Sequence, residues 1–433
     1  MRKVAFYTLG CKVNQYDTEA VLEDFKIAGY EIVNFADFAD VYVVNTCTVT
    51  NLSDRKCRQM LRKTKKINPN SILVAMGCYA QIAGDAIKDQ VDEIDIIVGT
   101  NHRTKIVALV SSYDESENKD INIVSNIMEV EEFEEHKISD MGERTRVYLK
   151  IQEGCNNYCS YCIIPYVRGK IRSRKEEQVL EEAMRFSKAG FKEIVLTGIH
   201  VASYGKDLGN TSLIDLLKKV HQINGIDRIR MSSIEPLVIT DTFLEEIRHM
   251  PKLCRHFHLS LQSGSDSVLK RMNRKYTTAE YKESVDKLRS IWPDVAITTD
   301  IIVGFPGESD EEFRETLDFV REMKLAQIHI FPFSPRQGTP AASMLNQITS
   351  STKHKRTKAL SIIEGQLRTS FMEEQRHKQV EVLFEGYHNE LLTGYTSNYL
   401  KVQVASTVNL ENTIGHVVID SLSAHELVGH IQQ

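Results

Sequence analysis

Residues 153–169 read EGCNNYCSYCIIPYVRG and set Cys155, Cys159 and Cys162 in a C-x3-C-x2-C run with no fourth cysteine in reach. A structural metal site closes its shell with four protein ligands, whereas a reactive one keeps a position open. Zinc fingers and ribbons pair C-x2-C with two further Cys or His ligands, and here the nearest downstream histidine, His200, is far off in sequence. Thiolates are the usual ligands of iron–sulfur clusters, and three of them leave one iron of a [4Fe–4S] cluster free.

Around this run, from Arg146 onward, strand candidates alternate with helix-length segments: VYLKIQ, EIVLTG, RIRMSS, HFHLSL, AITTDIIVGF and AQIHIFPF. Six βα units predict a complete or partial barrel with its chemistry at the carboxyl ends of the strands. Upstream, VAFYTLGC, VYVVNTC and SILVAMGC each precede a helical pattern, which predicts a parallel doubly wound sheet. Beyond the basic helical stretch from Lys353 to Lys378, the short runs VEVLFEG, ELLTGYTS, YLKVQV, GHVVIDSL and HELVGHI predict a small antiparallel β-barrel. The expected chain is therefore α/β in three parts. Residues 1–110 form the doubly wound domain, 111–144 an acidic linker, 145–365 a partial (βα)6 barrel and 366–433 the small β-barrel.

The remaining cysteines gain meaning from this plan. Cys11, Cys47 and Cys78 each end a predicted strand of the first domain, in LGC, NTC and MGC. The carboxyl ends of strands in an open parallel sheet share one crevice, so three sequence-distant thiols are expected to converge. Each alone reads equally well as a buried packing residue; three at equivalent strand ends point to a second metal site. Cys57 and Cys254 have no such placement and read as ordinary packing or surface residues.

Among 433 residues, 54 are Lys or Arg and 59 Asp or Glu, a net charge of −5 that by itself argues against a nucleic-acid partner. The charge is uneven, however, and phosphate neutralisation needs only a local face. RKCRQMLRKTKK from Arg55, RGKIRSRK from Arg168 and the 353–378 stretch are basic islands. The first 20 residues show no apolar targeting stretch, and nowhere do about 18 apolar residues run together. A cytoplasmic protein with no membrane partner is expected, and in such a reducing compartment eight cysteines point to metal or redox chemistry rather than disulfides.

With Tyr161 before its last cysteine, the C-x3-C-x2-C run resembles the radical S-adenosylmethionine (SAM) superfamily. The ordered blocks GCKVNQYDTE, VVNTCTVT, MGCYAQ, LTGIHVASYG, SSIEP, HLSLQSGSDSVLKRMNRKY, TTDIIVGFPGE and FPFSPRQGTPAASM narrow the likeness to the methylthiotransferase family over nearly the whole chain. GCKVNQYDTE, NTCTVT and SPRQGTPA look most like the members that act on N6-threonylcarbamoyladenosine (t6A) in tRNA. The resemblance implies a radical-generating [4Fe–4S] cluster on Cys155, Cys159 and Cys162, with SAM on its free iron. It also implies an auxiliary [4Fe–4S] cluster on Cys11, Cys47 and Cys78 that carries sulfur, and a TRAM-like RNA-binding terminal barrel. The implied reaction is methylthiolation at C2 of t6A at tRNA position 37, served by an electron donor such as flavodoxin or ferredoxin and by a sulfur donor.

Candidate SAM contacts follow from strand-end positions. Tyr161 is a candidate adenine partner or a core aromatic; Gly198 allows close backbone approach or simply a turn. Glu235 and Gln262 are candidates for the ribose or amino group, against a bland role as caps or loop residues. Ile302 and Val303, before the turn at Gly304, Pro306 and Gly307, are candidate adenine walls. Arg168, Arg172 and Arg174 follow the cysteine loop and are expected near the SAM carboxylate or substrate. Tyr387, Tyr395 and Tyr399 are candidates for base stacking or for core packing. Three other readings stay open: isopentenyladenosine-37 as the tRNA target, a ribosomal-protein aspartate as the target, and, from another class, a zinc-containing RNA-binding module without catalysis.

Overall fold

The computed structural model describes residues 1–433 except 114–119, 137, 139–144, 424 and 433. The first sheet is built from β1 (Lys3–Thr8), β2 (Glu31–Val33), β3 (Val41–Thr46), β4 (Ile72–Gly77), β5 (Ile96–Val98) and β6 (Ile121–Asn122), all parallel, in the order β2-β1-β3-β4-β5-β6. Alternation along β3 sends Val41 and Val43 to one face with the helices Lys12–Ile27 and Ile106–Tyr113, and Tyr42 and Val44 to the other with Asn51–Ile67. Each valine so buried contributes about 1.5–3 kcal/mol. Helices on both faces explain why VYVV is apolar without interruption. The chain reverses its direction of progress between β1 and β3, which opens the switch-point crevice at their carboxyl ends.

The segment expected to be a linker is in part structural. Ile121–Asn122 pairs with β5 and covers what would be an open sheet edge, and Glu134 forms an ion pair with buried Arg103 at 2.8 Å. The rest of that expectation falls on 114–119, 137 and 139–144, outside the described residues.

The second unit comprises β7 (Arg146–Glu153), β8 (Arg172–Ser173), β9 (Glu193–Gly198), β10 (Arg228–Met231), β11 (His256–His258), β12 (Ala296–Val303) and β13 (Gln327–Pro332). Two sheets, β10-β9-β7-β8 and β11-β12-β13, meet through isolated bridges Ile229↔Leu253 and Ile234↔Leu259. Apart from the short antiparallel β8, the strands are parallel, and no pairing joins β13 to β7 among the described residues. This is the partial barrel, open on one side.

Helix Ser350–Glu373 runs unbroken through the expected boundary at 366. It leads into a closed barrel of β14 (Gln379–His388), β15 (Leu391–Thr396), β16 (Lys401–Ala405), β17 (Ile414–Ser423) and β18 (Glu426–Ile431). The small antiparallel barrel expected here is present, with one of its five pairs, β16 with β18, running in parallel. Strand directions cannot alternate all the way around a closed ring of five, so one pair must run the same way.

The small barrel docks on the partial barrel through cations. Arg228 donates to Tyr395 O and Glu381 O at 2.8 and 2.9 Å, and Arg230 to Ser397 O at 3.0 Å. Tyr395 and Tyr399 stack on each other at 5.1 Å, with Arg146 over both and Arg230 4.5 Å over Tyr399. Their faces serve this interface and not free base stacking, and Tyr387 bonds Ser406 O through its hydroxyl. Among the described residues no helix is long and apolar enough to cross a membrane.

Candidate active site

One cavity of about 730 Å³ opens at the carboxyl ends of β1, β7, β9 and β10, with Cys47 and Cys78 buried outside its lining. Cys155, Cys159 and Cys162 line it together with Cys11. Gly154, at φ +71°, makes the sharp exit from β7 into the cysteine loop, and a Cβ there would stand 1.8 Å from Lys170 O. Cys155 N donates to Gly169 O and Ser160 N to Met272 O, each at 3.0 Å, so the loop is clamped at both ends.

Cys11 is the N-cap of a 16-residue helix, where free N–H groups and the macrodipole favour negative charge, and Cys47 lies three residues before Thr50, the N-cap of a 17-residue one. Gly10 sits at φ +113°, and a Cβ would meet Asn14 Nδ2 at 2.8 Å and Cys47 Cβ at 3.1 Å; only glycine lets these strand ends approach. Asn14 fastens them. Its Nδ2 donates to Leu9 O at 2.7 Å and Thr46 O at 3.0 Å, while its Oδ1 faces the thiols of Cys11 and Cys78 at 3.9 and 4.0 Å. From the far side Arg336 holds Thr48 and Asp54 beside Cys47, each at 2.6 Å.

Burial pushes the Cys78 and Cys162 thiols up to about 12 and Cys155 to about 11, and raises Cys47 as well. Such thiols ionise only when a metal replaces the proton. A single zinc at about 2.3 Å from each sulfur brings ligand atoms about 3.8 Å apart. Among the described residues the one group of three Cys, His or acidic ligands within 4.8 Å of one another is His258, Asp300 and His329. Each thiol triad is therefore spread wider than one ion's shell, which fits a multi-iron group and disfavours zinc.

One arginine reaches each triad. Arg168 donates from Nε to Cys78 Sγ, and Arg274 from Nη1 to Cys159 Sγ, both at 3.1 Å. Arg168 is wholly buried and also bonds Asp17 at 2.9 Å, Glu153 at 2.8 Å and Asn14 at 2.6 Å. Lys150 and Arg103 complete this buried network. Arg274 also pairs with Glu235 at 3.0 Å, and Asn157 donates to the same carboxylate at 2.8 Å. Burial raises the Glu235 carboxyl, but the His200 hydrogen bond and the Arg274 charge prevail and hold it below its ordinary value.

Tyr161, Gly198, Glu235 and Gln262 all line the cavity. Ile302 lines an adjoining apolar space of about 230 Å³ with Phe331 and Phe333, whereas Val303 is fully buried in the barrel core. The structure does not bring Arg172 and Arg174 to the cavity. Arg172 donates to Arg168 O and Lys170 O, and Arg174 is neutralised by Glu182 and Glu135. Cys57 packs in the sheet core with its thiol on Cys47 O, and Cys254 is buried beside Glu193, so neither belongs to the site. Asn14 and Arg274 escaped the sequence reading although both lie within quoted blocks, GCKVNQYDTE and RMNRKY; a polar residue three positions after Cys11 was the available signal. Of the basic islands, Arg55, Lys56, Lys355 and Lys358 are exposed, whereas Arg168, Arg172 and Arg174 are internal.

Residues 149–320 match the Radical SAM superfamily model, and 3–99 match the uncharacterized protein family UPF0004. The chain is 44% identical over 424 residues to the threonylcarbamoyladenosine tRNA methylthiotransferase MtaB of Bacillus subtilis (strain 168), covering 96% of this chain and 93% of that one. It is 38% identical over 415 residues to a tRNA-2-methylthio-N(6)-dimethylallyladenosine synthase of Thermoanaerobacter pseudethanolicus (strain ATCC 33223 / 39E), covering 94% and 87%. Among solved structures it is similar in fold to the radical SAM methyltransferase TsrM of Kitasatospora setae, with a TM-score of 0.57, 14% identity and coverage of 79% and 77%.

Proposed function

The chain belongs to the radical SAM tRNA methylthiotransferases, and from that premise we propose that its substrate is t6A at position 37, converted at C2 to the 2-methylthio derivative. As a member it is a radical SAM enzyme that uses a [4Fe–4S] cluster and SAM. The further proposals are that Cys155, Cys159 and Cys162 hold that cluster and that Cys11, Cys47 and Cys78 hold an auxiliary one. The observation that carries this reading is the single cavity on which Cys11 and the C-x3-C-x2-C thiols open together.

When bound, the two clusters and SAM supply a radical and a sulfur carrier, which an unactivated aromatic C–H requires and side chains cannot provide. The protein supplies placement. Glu235, ionised and fixed by Asn157, His200 and Arg274, offers an oriented acceptor at the cavity wall for the SAM amino group or ribose. Gly198 and Gln262 present backbone and amide beside it, and Ile302 with Phe331 and Phe333 offers the apolar recess for the SAM adenine. Arg55, Lys56, Lys355 and Lys358 are the exposed cations for the tRNA backbone. An electron donor such as flavodoxin or ferredoxin, a sulfur donor and a cytoplasmic location complete the proposal.

Mass spectrometry of nucleosides from bulk tRNA tests it in a strain lacking the gene, the complemented strain and one complemented with Cys155→Ala. Loss of 2-methylthio-t6A, restored only by the intact protein, is expected. Loss of 2-methylthio-isopentenyladenosine instead would keep the family and change the substrate; unchanged tRNA would direct attention to ribosomal protein.

A further inference from the structure

Two spaces adjoin the thiol cavity. One is the largely apolar recess of Ile302, Phe331 and Phe333, whose lining holds no cation and includes the Asp300 carboxylate. The other, of about 590 Å³, shares Lys12, Ser232 and Ser233 with the thiol cavity and runs down the lumen of the partial barrel. Its walls are alternate residues of β11, β12 and β13, which places them on one face. The small barrel closes its floor with Tyr395 and Tyr399.

Barrel interiors are ordinarily filled by branched aliphatic side chains. Here the inward positions carry His256, His258, Thr298, Asp300 and His329, a polar lining around open space. Of the internal carboxylates, Glu426 pairs with Lys401 at 2.5 Å, and Asp300 lies 3.3 Å from His258 Nε2. His258 is in turn aligned by Thr298 Oγ1 at 3.0 Å from Nδ1. Lys12 and Arg368 both face this space, and among the described residues neither is in an ion pair. Burial, opposed by Asp300 and reinforced by His258, Lys12 and Arg368, pushes His329 below its ordinary value.

In adenine, C2 and C6 are separated by one ring nitrogen. A base seated with C2 at the thiols must therefore send its N6 substituent into a space next to them. The threonylcarbamoyl group ends in a carboxylate and carries a hydroxyl and a urea; a dimethylallyl group is hydrocarbon and would leave the half-buried Lys12 without an anion. We propose that the barrel lumen receives the N6-threonylcarbamoyl group, its carboxylate meeting Lys12 and its polar arm lying along His258, Asp300 and His329. This rests on the t6A reading given above and adds to it the residues that choose the substrate.

The test measures binding of the anaerobic, cluster-loaded enzyme with SAM to anticodon stem-loops carrying t6A, isopentenyladenosine or plain adenosine at position 37. The wild type is expected to bind the t6A stem-loop about 10- to 100-fold more tightly than the adenosine one, the worth of a charge-assisted contact. In Lys12→Met and His329→Leu the ratio falls toward one. Iron content and visible absorption are checked for Lys12→Met because it neighbours Cys11; His329 lies on β13, away from every cysteine in sequence. If both variants keep the wild-type ratio, the lumen is not the receptor and the t6A reading stands. If Lys12→Met weakens all three RNAs alike, Lys12 serves backbone phosphate and the inference fails. If the wild type itself shows no preference for t6A, the substrate reading falls and takes this inference with it.

Discussion

Arg168 Nε stands 3.1 Å from Cys78 Sγ, although the arginine belongs to the cysteine loop of the partial barrel and the cysteine to the first sheet. Through this contact the helix Ile164–Arg168, which begins two residues after Cys162, reaches the other triad. The two thiol sets are thus one mechanical unit. The guanidinium also neutralises Asp17 and Glu153, so its removal leaves buried carboxylates short of a cation.

Arg168→Met is therefore expected to lose about 3–5 kcal/mol of stability in urea titrations of the anaerobic apo-protein. Arg168→Lys, which keeps charge without the fork, should recover only part of it. A wild-type midpoint and slope in Arg168→Met would refute the bridging role.

Arg274 touches Cys159 at the same distance, and hydrogen bonds to cluster sulfurs help set reduction potential. If Cys159 holds the radical-generating cluster as proposed, loss of a cationic donor in Arg274→Gln should shift that cluster to a more negative potential and slow turnover by making it harder to reduce, with iron content retained. A redox titration followed by electron paramagnetic resonance reads this directly; an unmoved midpoint would mean that the contact is only structural.

Asp17 and Glu153, wholly buried, contribute to the acid limb of stability. Burial raises both carboxyls, but Arg103, Lys150 and Arg168 prevail and hold them well below the usual carboxylate range. Their contribution is full above the unfolded value of about 4 and is lost as pH falls through the depressed folded value. Urea midpoints should drop steeply from about pH 4 downward. Glu153→Gln should be less stable at neutral pH and show a flatter acid limb; an acid limb as steep as wild type would place the titrating groups elsewhere.

Tyr399 joins the small barrel to the partial one through Tyr395, Arg146 and Arg230. Two desolvated cation–π contacts are worth about 1–4 kcal/mol together. Tyr399→Ala should loosen the docking, seen as faster proteolysis between residues 373 and 379 and weaker tRNA binding. Proteolysis at the wild-type rate would show that the Arg228 hydrogen bonds to Tyr395 O and Glu381 O suffice.

The architecture was readable because its signals are local and periodic: apolar runs at βα spacing, cysteines at strand ends, and a C-x3-C-x2-C run whose ligands are consecutive. What escaped is set through space. Sequence cannot say whether a cation faces a cavity or a carboxylate: position after the cysteine loop puts Arg174 near the cofactor although Glu182 and Glu135 hold it, and nothing local marks Arg274 as a partner of Cys159. Tyr395 and Tyr399 are legible as aromatics for stacking or packing but not as a stack beneath Arg146 and Arg230. The five-strand closure through β16 and β18 depends on strand count, which the short terminal runs contained, and on their pairing, which they did not.

The most direct measurement is iron and acid-labile sulfide per chain, with Mössbauer spectra, after anaerobic reconstitution of three proteins: wild type, the triple Ala variant of Cys155, Cys159 and Cys162, and the triple Ala variant of Cys11, Cys47 and Cys78. Two clusters in the wild type and one in each variant are expected. A Cys11/Cys47/Cys78 variant that retains the full iron content, or a wild type that binds zinc in place of iron, would contradict the assignment of two clusters to one cavity.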